Sequence, residues 1–340
     1  MAEKKKYLYG PVPSRRLGLS CGVDIVPFKV CTLDCIYCQL GATTEKTIER
    51  KEYVPPEAVL AELRETLAEG LKADFITISG SGEPTLNSRL GELIDGIKKI
   101  TNIPVAILTN GTLLYRPDVR ADCAKADVVL PSLDAGDKQT FEQVNRPHKD
   151  INIEKLISGL CDFRNEYAGQ IWLEVFLIEG MNTDAGQIAK IKNIIKRIRP
   201  DKVQLNTAVR PTTCAGIKRV DTEQLEAIAA ELGKNCEVVA DFSSSRDGSA
   251  PVRCQPIPAH RDSCGIKSKA EDISGAHFVT SCKMEALLSM LKRRPCSLDD
   301  ICTGLGIGRN EALKHISHLQ HRGVINYEQK DGRIFFKASS

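Results

Sequence analysis

Three cysteines fall within eight residues, Cys31-Thr-Leu-Asp-Cys35-Ile-Tyr-Cys38, a C-x3-C-x2-C spacing. Thiolates are soft ligands that select zinc, Cu(I) or iron–sulfur clusters. A closed structural zinc site wants four ligands. Three thiolates on one short loop suit instead an iron–sulfur cubane with one iron left open, which a small molecule can chelate. Zinc, with Cys21 as a fourth ligand, is the competing reading of the same thiols. Further along, Gly80-Ser-Gly82-Glu83-Pro84 closes an apolar run. Such a rigid turn offers backbone carbonyls and a carboxylate to a cation. The next apolar runs end in Thr109-Asn110-Gly111 and Ser132-Leu133-Asp134, and a later one in Asn206, while Glu174 interrupts the run 171–178. A carboxylate inside a buried strand is costly unless partnered, so Glu174 is expected to face inward toward a ligand.

These residues need elements that bring them together. Apolar, β-rich runs lie at 22–27, 74–79, 104–109, 127–133, 170–178, 202–206 and 237–240. Helical patterns alternate with them at 56–70, 88–100, 137–145, 153–167, 184–199 and 221–232. Repeated βα units with near-continuous apolar strands predict a parallel sheet covered by helices. The expected fold is therefore α/β, a partial (β/α)6-type TIM barrel over residues 1–240, and the candidate residues sit where the strands end, at the C-terminal face.

The cysteine loop after the first strand, followed in order by the Gly-Glu-Pro turn and the polar strand ends, resembles the radical S-adenosylmethionine superfamily. The resemblance implies a [4Fe–4S] cluster on Cys31, Cys35 and Cys38 whose open iron binds S-adenosylmethionine. One electron then cleaves that molecule to a 5′-deoxyadenosyl radical, which abstracts hydrogen from a substrate. It further implies that the backbone at Tyr37 meets adenine, that Gly82, Glu83 and Pro84 hold the methionine ammonium, and that Asn110, Ser132 and Asp134 reach the carboxylate or ribose. Glu174 and Asn206 complete the expected cofactor contacts. A reduced flavodoxin or ferredoxin is the expected electron donor, and the cluster would be oxygen-sensitive. Tyr9-Gly-Pro-Val-Pro-Ser-Arg15-Arg16-Leu-Gly, taken with Cys38-Gln-Leu-Gly41, resembles relatives of the wyosine-tRNA synthases within that superfamily. A tRNA nucleotide is thus the leading substrate expectation, and a peptide or protein side chain the next. Arg15 and Arg16 suit an anionic substrate, since guanidinium matches carboxylate and phosphate; a surface ion-paired role is the plain alternative.

Composition narrows the class. The 340 residues are 42% hydrophobic and 27% charged with a net charge of +3, a globular balance whose bulk charge is too small to mark the whole protein as a polyanion binder. The lysine-rich start runs into Gly10-Pro11 with no apolar signal region, and no run is long enough to span a membrane. A cytoplasmic protein with thirteen cysteines points to metal or redox use rather than disulfides. Residues 241–282 are rich in Ser, Pro, Gly and charge and read as a linker or wrapping segment. Cys254, Cys264 and Cys282 fall there as candidates for a second iron–sulfur cluster, although their spacing matches no ligand motif. Cys123, Cys161 and Cys214 read as packing residues. Residues 283–340 carry ten Lys/Arg against six Asp/Glu. Helical patterns at 283–293, 298–304 and 310–322 precede two strands around Lys330-Asp331-Gly332, the order of a winged helix-turn-helix. Arg309, Lys314, His315, His318, His321, Arg322, Lys330 and Arg333 would give it a basic, solvated face for nucleic acid or a peptide. A winged-helix transcription regulator that senses through an iron–sulfur cluster is the alternative function.

Overall fold

The computed structural model describes residues 7–240 and 274–339. Its first strand, β1 (Leu8–Ser14), turns back into β2 (Gly18–Val23), antiparallel. A short β3 (Val30–Cys31) pairs in parallel with β4 (Glu45–Lys46) inside the following loop. The βα units come next: α1 (Pro56–Ala68), β5 (Phe75–Ile78), α2 (Leu90–Ile100), β6 (Val105–Thr109), α3 (Pro117–Cys123), β7 (Val128–Pro131), α4 (Lys138–Val144), α5 (Ile153–Glu166), β8 (Gln170–Leu177), α6 (Ala185–Ile198), β9 (Lys202–Thr207), α7 (Thr222–Leu232) and β10 (Cys236–Val238). The main sheet runs β1-β2-β5-β6-β7-β8-β9-β10, and every neighbouring pair from β2 onward is parallel. Among the described residues its two ends do not hydrogen-bond to each other, so the sheet they form is open, consistent with a partial barrel.

Local chemistry explains the boundaries. Asp137, Asn152, Asp184 and Asp221 cap α4, α5, α6 and α7 by accepting from the backbone N–H three residues on, which satisfies donors the helix itself leaves orphaned. Pro56 and Pro117 open α1 and α3, where proline needs no N–H. The strands carry apolar side chains to both faces: Val105, Ala106 and Ile107 on β6 and Val129 on β7 are fully buried. On β2 the faces divide by chemistry. Ser20 turns inward to Thr77 (2.6 Å between hydroxyls), while Cys21 feels the carboxylate of Glu62 on α1. Cys21 therefore lies on the helix side of the sheet and is no fourth ligand for the thiols of the loop.

The first expected strand lay at 22–27; β2 instead ends at Val23, and β1 was not foreseen. Pro11 and Pro13 argue against a strand, but proline is tolerated on an edge and at a bulge. β1 is an edge strand whose register shifts between Tyr9 and Val12.

At the C-terminal end lie α8 (Ser274–Arg293), α9 (Leu298–Leu305), α10 (Arg309–His321) and a small antiparallel sheet of β11 (Ile325–Lys330) and β12 (Arg333–Ala338). α8 starts nine residues before the expected Lys283. Ser297 and Asp300 form a reciprocal capping box on α9. The β11–β12 turn places Asp331 at φ 49 and Gly332 at φ 77, the left-handed pair that a two-residue hairpin requires. Leu287, Leu291, Ile301, Ile316, Ile325 and Phe336 form a core separate from that of the barrel. His315, expected on a solvated face, is buried in this unit with its Nε2 3.8 Å from Glu311, because it shares a helix face with Ala312, Ile316 and Leu319.

This C-terminal unit docks on β1 and on the loop after β9. Arg210 pairs with Asp300 (3.0 Å), Lys330 donates to the carbonyl of Arg210 (3.0 Å), and Arg293 lies over the ring of Tyr9 (4.1 Å). Of the second-cluster candidates, Cys254 and Cys264 lie outside the described residues, as does the side chain of Cys282. Among the described residues no helix is long and apolar enough to cross a membrane.

Candidate active site

The loop from Pro27 to Thr47 leaves the end of β2 and carries the three cysteines. It is tied down along its length by backbone bonds from distant elements. Asp34 and Ile36 donate to Asn145 and Val144 at the end of α4, His148 donates to Thr32, Thr47 donates to Cys31, and Thr213 and Cys214 donate to Cys38 and Ile36. Each thiol sulfur in turn faces a different side-chain donor. Lys29 Nζ lies 3.0 Å from Cys38 Sγ, Asn110 Nδ2 3.6 Å from Cys31 Sγ, and Asn145 Nδ2 3.5 Å from Cys35 Sγ. Lys29 is buried and adopts φ 57, a left-handed conformation rare for a non-glycine residue. Such strain persists only where the surroundings enforce it; here Lys29 N is held by Ser81 O, and Lys29 O accepts from Thr44. Burial, reinforced by Glu83, pushes the Cys31 thiol up to about 12, and burial with Asp134 pushes Cys35 well above its ordinary value. Bound iron reverses that preference, because its charge deprotonates the thiol outright.

Beside the loop, the Gly-Glu-Pro turn follows β5. A Cβ on Gly82 would stand 2.0 Å from the carbonyl oxygen of Val30, so only glycine lets the turn approach the cysteine loop. The neighbouring Glu83 N–H donates to that same carbonyl (3.0 Å). The Glu83 carboxylate does not project toward a ligand. It is buried and accepts from Thr85 N, Thr85 Oγ1, Thr109 Oγ1 and Asn110 N at 2.6–3.1 Å. It thereby locks the end of β6 to the turn, and Pro84 opens a single 3-10 turn behind it. Asn110 is fixed from both ends: its amide donates to Thr32 and its carbonyl accepts from Thr112. Asp24 braces the other flank, accepting from Ser81 N (3.2 Å) and Ser81 Oγ (2.5 Å) while Arg293 of α8 stands 3.7 Å away.

Asp134 and Tyr37, expected as separate cofactor contacts, bond to each other. Tyr37 OH donates to Asp134 Oδ2 (2.5 Å), which also takes Asn145 Nδ2 (2.7 Å), while Oδ1 takes Phe176 N (2.9 Å). Burial outweighs these bonds and pushes the Asp134 carboxyl up to about 6. The Tyr37 ring stacks on Phe176 at 4.0 Å. Ser132 is bridged to Glu174 across β7 and β8. Glu174 pairs with Arg16 (2.8 Å) and accepts from Asn206 (2.9 Å). The inward carboxylate thus has protein partners, which makes its burial affordable. Lys29 and Asn145, which meet cysteine sulfurs, carry no sequence signal beyond Lys29 lying two residues before Cys31, and Thr109, which meets Glu83, is marked only as the neighbour of Asn110.

Tyr37, Cys38, Glu174, Phe176 and Asn206 line a cavity of about 1020 Å³. Its opposite wall comes from the C-terminal unit, with Arg294, Asp300, Arg309 and Arg333. Among the described residues, no three His, Cys, Asp or Glu side chains converge on a single metal ion. Thiolates on one zinc would stand roughly 3.8 Å apart, given tetrahedral bonds of 2.3 Å; sulfurs on separate irons of a cubane stand farther apart.

The profile of the radical SAM superfamily matches residues 25–198, just over half of the chain, including the cysteine loop, the Gly-Glu-Pro turn and the strand ends up to β8 but not Asn206. The chain belongs to the radical SAM superfamily. As a radical SAM enzyme it calls for a [4Fe–4S] cluster and S-adenosylmethionine. The donor set fits that demand: three thiols, each facing a nitrogen donor, and hydrogen bonds to ligand sulfurs are a known lever on such clusters. A "UPF0026 protein" of Helicobacter pylori J99 is 33% identical over 99% of both chains. "UPF0026 protein MJ1312" of Methanocaldococcus jannaschii is 37% identical over 67% of this chain and 72% of its own length. A Brachyspira hyodysenteriae protein named "GTPase Obg" is 42% identical over 72% of this radical SAM chain, which spans only 36% of that longer relative.

Proposed function

We propose that Cys31, Cys35 and Cys38 are the cluster ligands and that the adjoining cavity holds a substrate from which hydrogen is abstracted. The observation that carries this reading is the set of three sulfurs, each met by its own nitrogen donor, opening through Cys38 onto a cavity of about 1020 Å³. When bound, the cluster supplies the electron that cleaves S-adenosylmethionine to the 5′-deoxyadenosyl radical. The protein's own residues orient and enclose. Gly82 brings the turn against the cysteine loop, Glu83 fixes the turn to β6, and the backbone of Gly82–Pro84 would take the methionine ammonium. Asn110, Ser132 and Asn206 at the strand ends, with Glu174 within β8, would meet the carboxylate and ribose. Asp134 acts through Tyr37 and Asn145 rather than by touching the cofactor.

Residues 1–240 would then be the catalytic domain and 283–340 a winged helix-turn-helix that presents the substrate. A tRNA nucleotide is the substrate we favour, because the basic C-terminal unit faces the cavity; a peptide is second. Reduced flavodoxin or ferredoxin would deliver the electron. Anaerobic reconstitution with iron, sulfide and dithionite tests the core of this reading. The expected result is 5′-deoxyadenosine from the wild type and none from Cys31→Ala, Cys35→Ala or Cys38→Ala. Cleavage surviving in any of these variants overturns the ligand assignment. A fully loaded protein that cleaves nothing but binds a defined DNA duplex tightly would instead support an iron–sulfur-sensing regulator.

A further inference from the structure

Arginine side chains from the barrel and from the C-terminal unit meet across the cavity, and their charges do not cancel. Arg15 and Arg16 follow β1, Arg210 lies in the loop after β9, and Arg294 directly follows α8; all four line the cavity. Two carboxylates stand among them, Glu174 on Arg16 (2.8 Å) and Asp300 on Arg210 (3.0 Å). The full lining holds seven arginines, with Arg293, Arg309 and Arg333 added, against three carboxylates, with Asp299 added, so positive charge remains in excess. Among the described residues, the guanidinium groups of Arg15 and Arg294 make no direct hydrogen bond or ion pair and feel Glu174 and Asp300 only at longer range, and Arg210 uses only its Nη2 on Asp300. Arg15 is open to the cavity. The surrounding walls, together with the like charges of Arg210 and Arg16, push its guanidinium down to about 10. Gathering like charges costs energy that a bound anion offsets, and planar guanidinium forks match phosphate oxygens.

We propose that the cavity recognises a phosphate group on the substrate through Arg15, Arg210 and Arg294, so that the phosphate site is complete only when the C-terminal unit is docked on the barrel. This rests on the reading that the cavity next to Cys38 is the substrate site. Several guanidinium forks with positive charge in excess suit a phosphate monoester dianion or successive phosphodiesters better than a single carboxylate. The phosphate can belong to a free nucleotide or to a nucleic acid strand, and the shared chemistry is the same.

The test uses the full-length, cluster-loaded protein with S-adenosylmethionine bound, and reads binding rather than turnover. Fluorescence anisotropy follows a labelled ten-nucleotide single-stranded RNA, with adenosine 5′-monophosphate and a ten-residue oligoglutamate as competitors. Arg15→Gln and Arg294→Gln should each weaken RNA binding roughly tenfold, as expected for one lost charge-assisted contact. Each should also lower the slope of log affinity against log salt by about one. Arg294→Lys should fall between, keeping the charge and losing the fork. Competition by adenosine 5′-monophosphate assigns the site to a mononucleotide; binding of RNA without such competition assigns it to a strand. Oligoglutamate competing as well as either, or variants binding as the wild type does, overturns the phosphate assignment. Iron content and S-adenosylmethionine affinity, measured on the same samples, report separately on the catalytic reading.

Discussion

Gly82→Ala tests the contact that holds the turn against the cysteine loop. The added methyl would begin 2.0 Å from Val30 O, against 3.4 Å for ordinary contact. One segment must therefore retreat by roughly 1.4 Å, a displacement that close-packed interiors resist at about 1–3 kcal/mol. Val30 O also accepts from Glu83 N at 3.0 Å, and retreat breaks that bond at a further ~1–3 kcal/mol. The sum, about 2–6 kcal/mol, falls on the residue next to Cys31. The expected outcome is a loss of several kcal/mol in urea unfolding of the reconstituted protein, together with iron well below four per chain. Dithionite-reduced samples should lose most of the cluster's paramagnetic signal. A variant with full iron, wild-type S-adenosylmethionine affinity and an unchanged unfolding midpoint would refute the steric reasoning.

Three other perturbations probe neighbouring contacts. Glu83→Gln turns an amide donor toward the donors that now bond Glu83, so urea unfolding should register a loss of about 2–4 kcal/mol; a neutral result would mean that the carboxylate is protonated in the fold. Lys29→Met removes the cation 3.0 Å from Cys38 Sγ. The cluster should become harder to reduce, by on the order of 60 mV, the one-electron equivalent of about 1.4 kcal/mol; redox titration showing no shift, or an upward one, would count against the hydrogen bond. At Asp300, burial raises the carboxyl, but Arg210 and Arg294 hold it below its ordinary value. A lowered folded pKa contributes stability above the unfolded value of about 3.9 and loses it as pH falls through the folded one. Hydrogen exchange on α9 should therefore accelerate only below about pH 4, and Asp300→Asn should abolish that acid step.

The sheet was legible because β5 to β9 are near-continuous apolar runs between helices with their own caps, and each observed strand lies within a residue or two of its expected limits. The cysteines were legible because their ligand chemistry is local, written in eight consecutive residues. What the sequence hid depends on long-range proximity. Glu83 reads as a carboxylate offered to a cation until Thr109 and Asn110, 26 and 27 residues on, are seen to occupy it. Asn145 lies 110 residues from Cys35, and nothing in its own neighbourhood marks it as a sulfur partner. His315 looked polar by type, but the helical period turns it inward. β1 was masked by its prolines, whose prohibition lapses at an edge.

Asp24 touches two systems at once, the Ser81 turn beside Gly82 and Arg293 of the C-terminal helix. A carboxylate shared in this way couples two equilibria. Any ligand that tightens the turn changes how firmly Arg293 is held, and whatever grips the C-terminal unit alters the turn by the same factor, as thermodynamic linkage requires. Occupancy of the barrel and engagement of the outer unit are thereby made mutually informative, so affinity for one partner becomes a readout of the other.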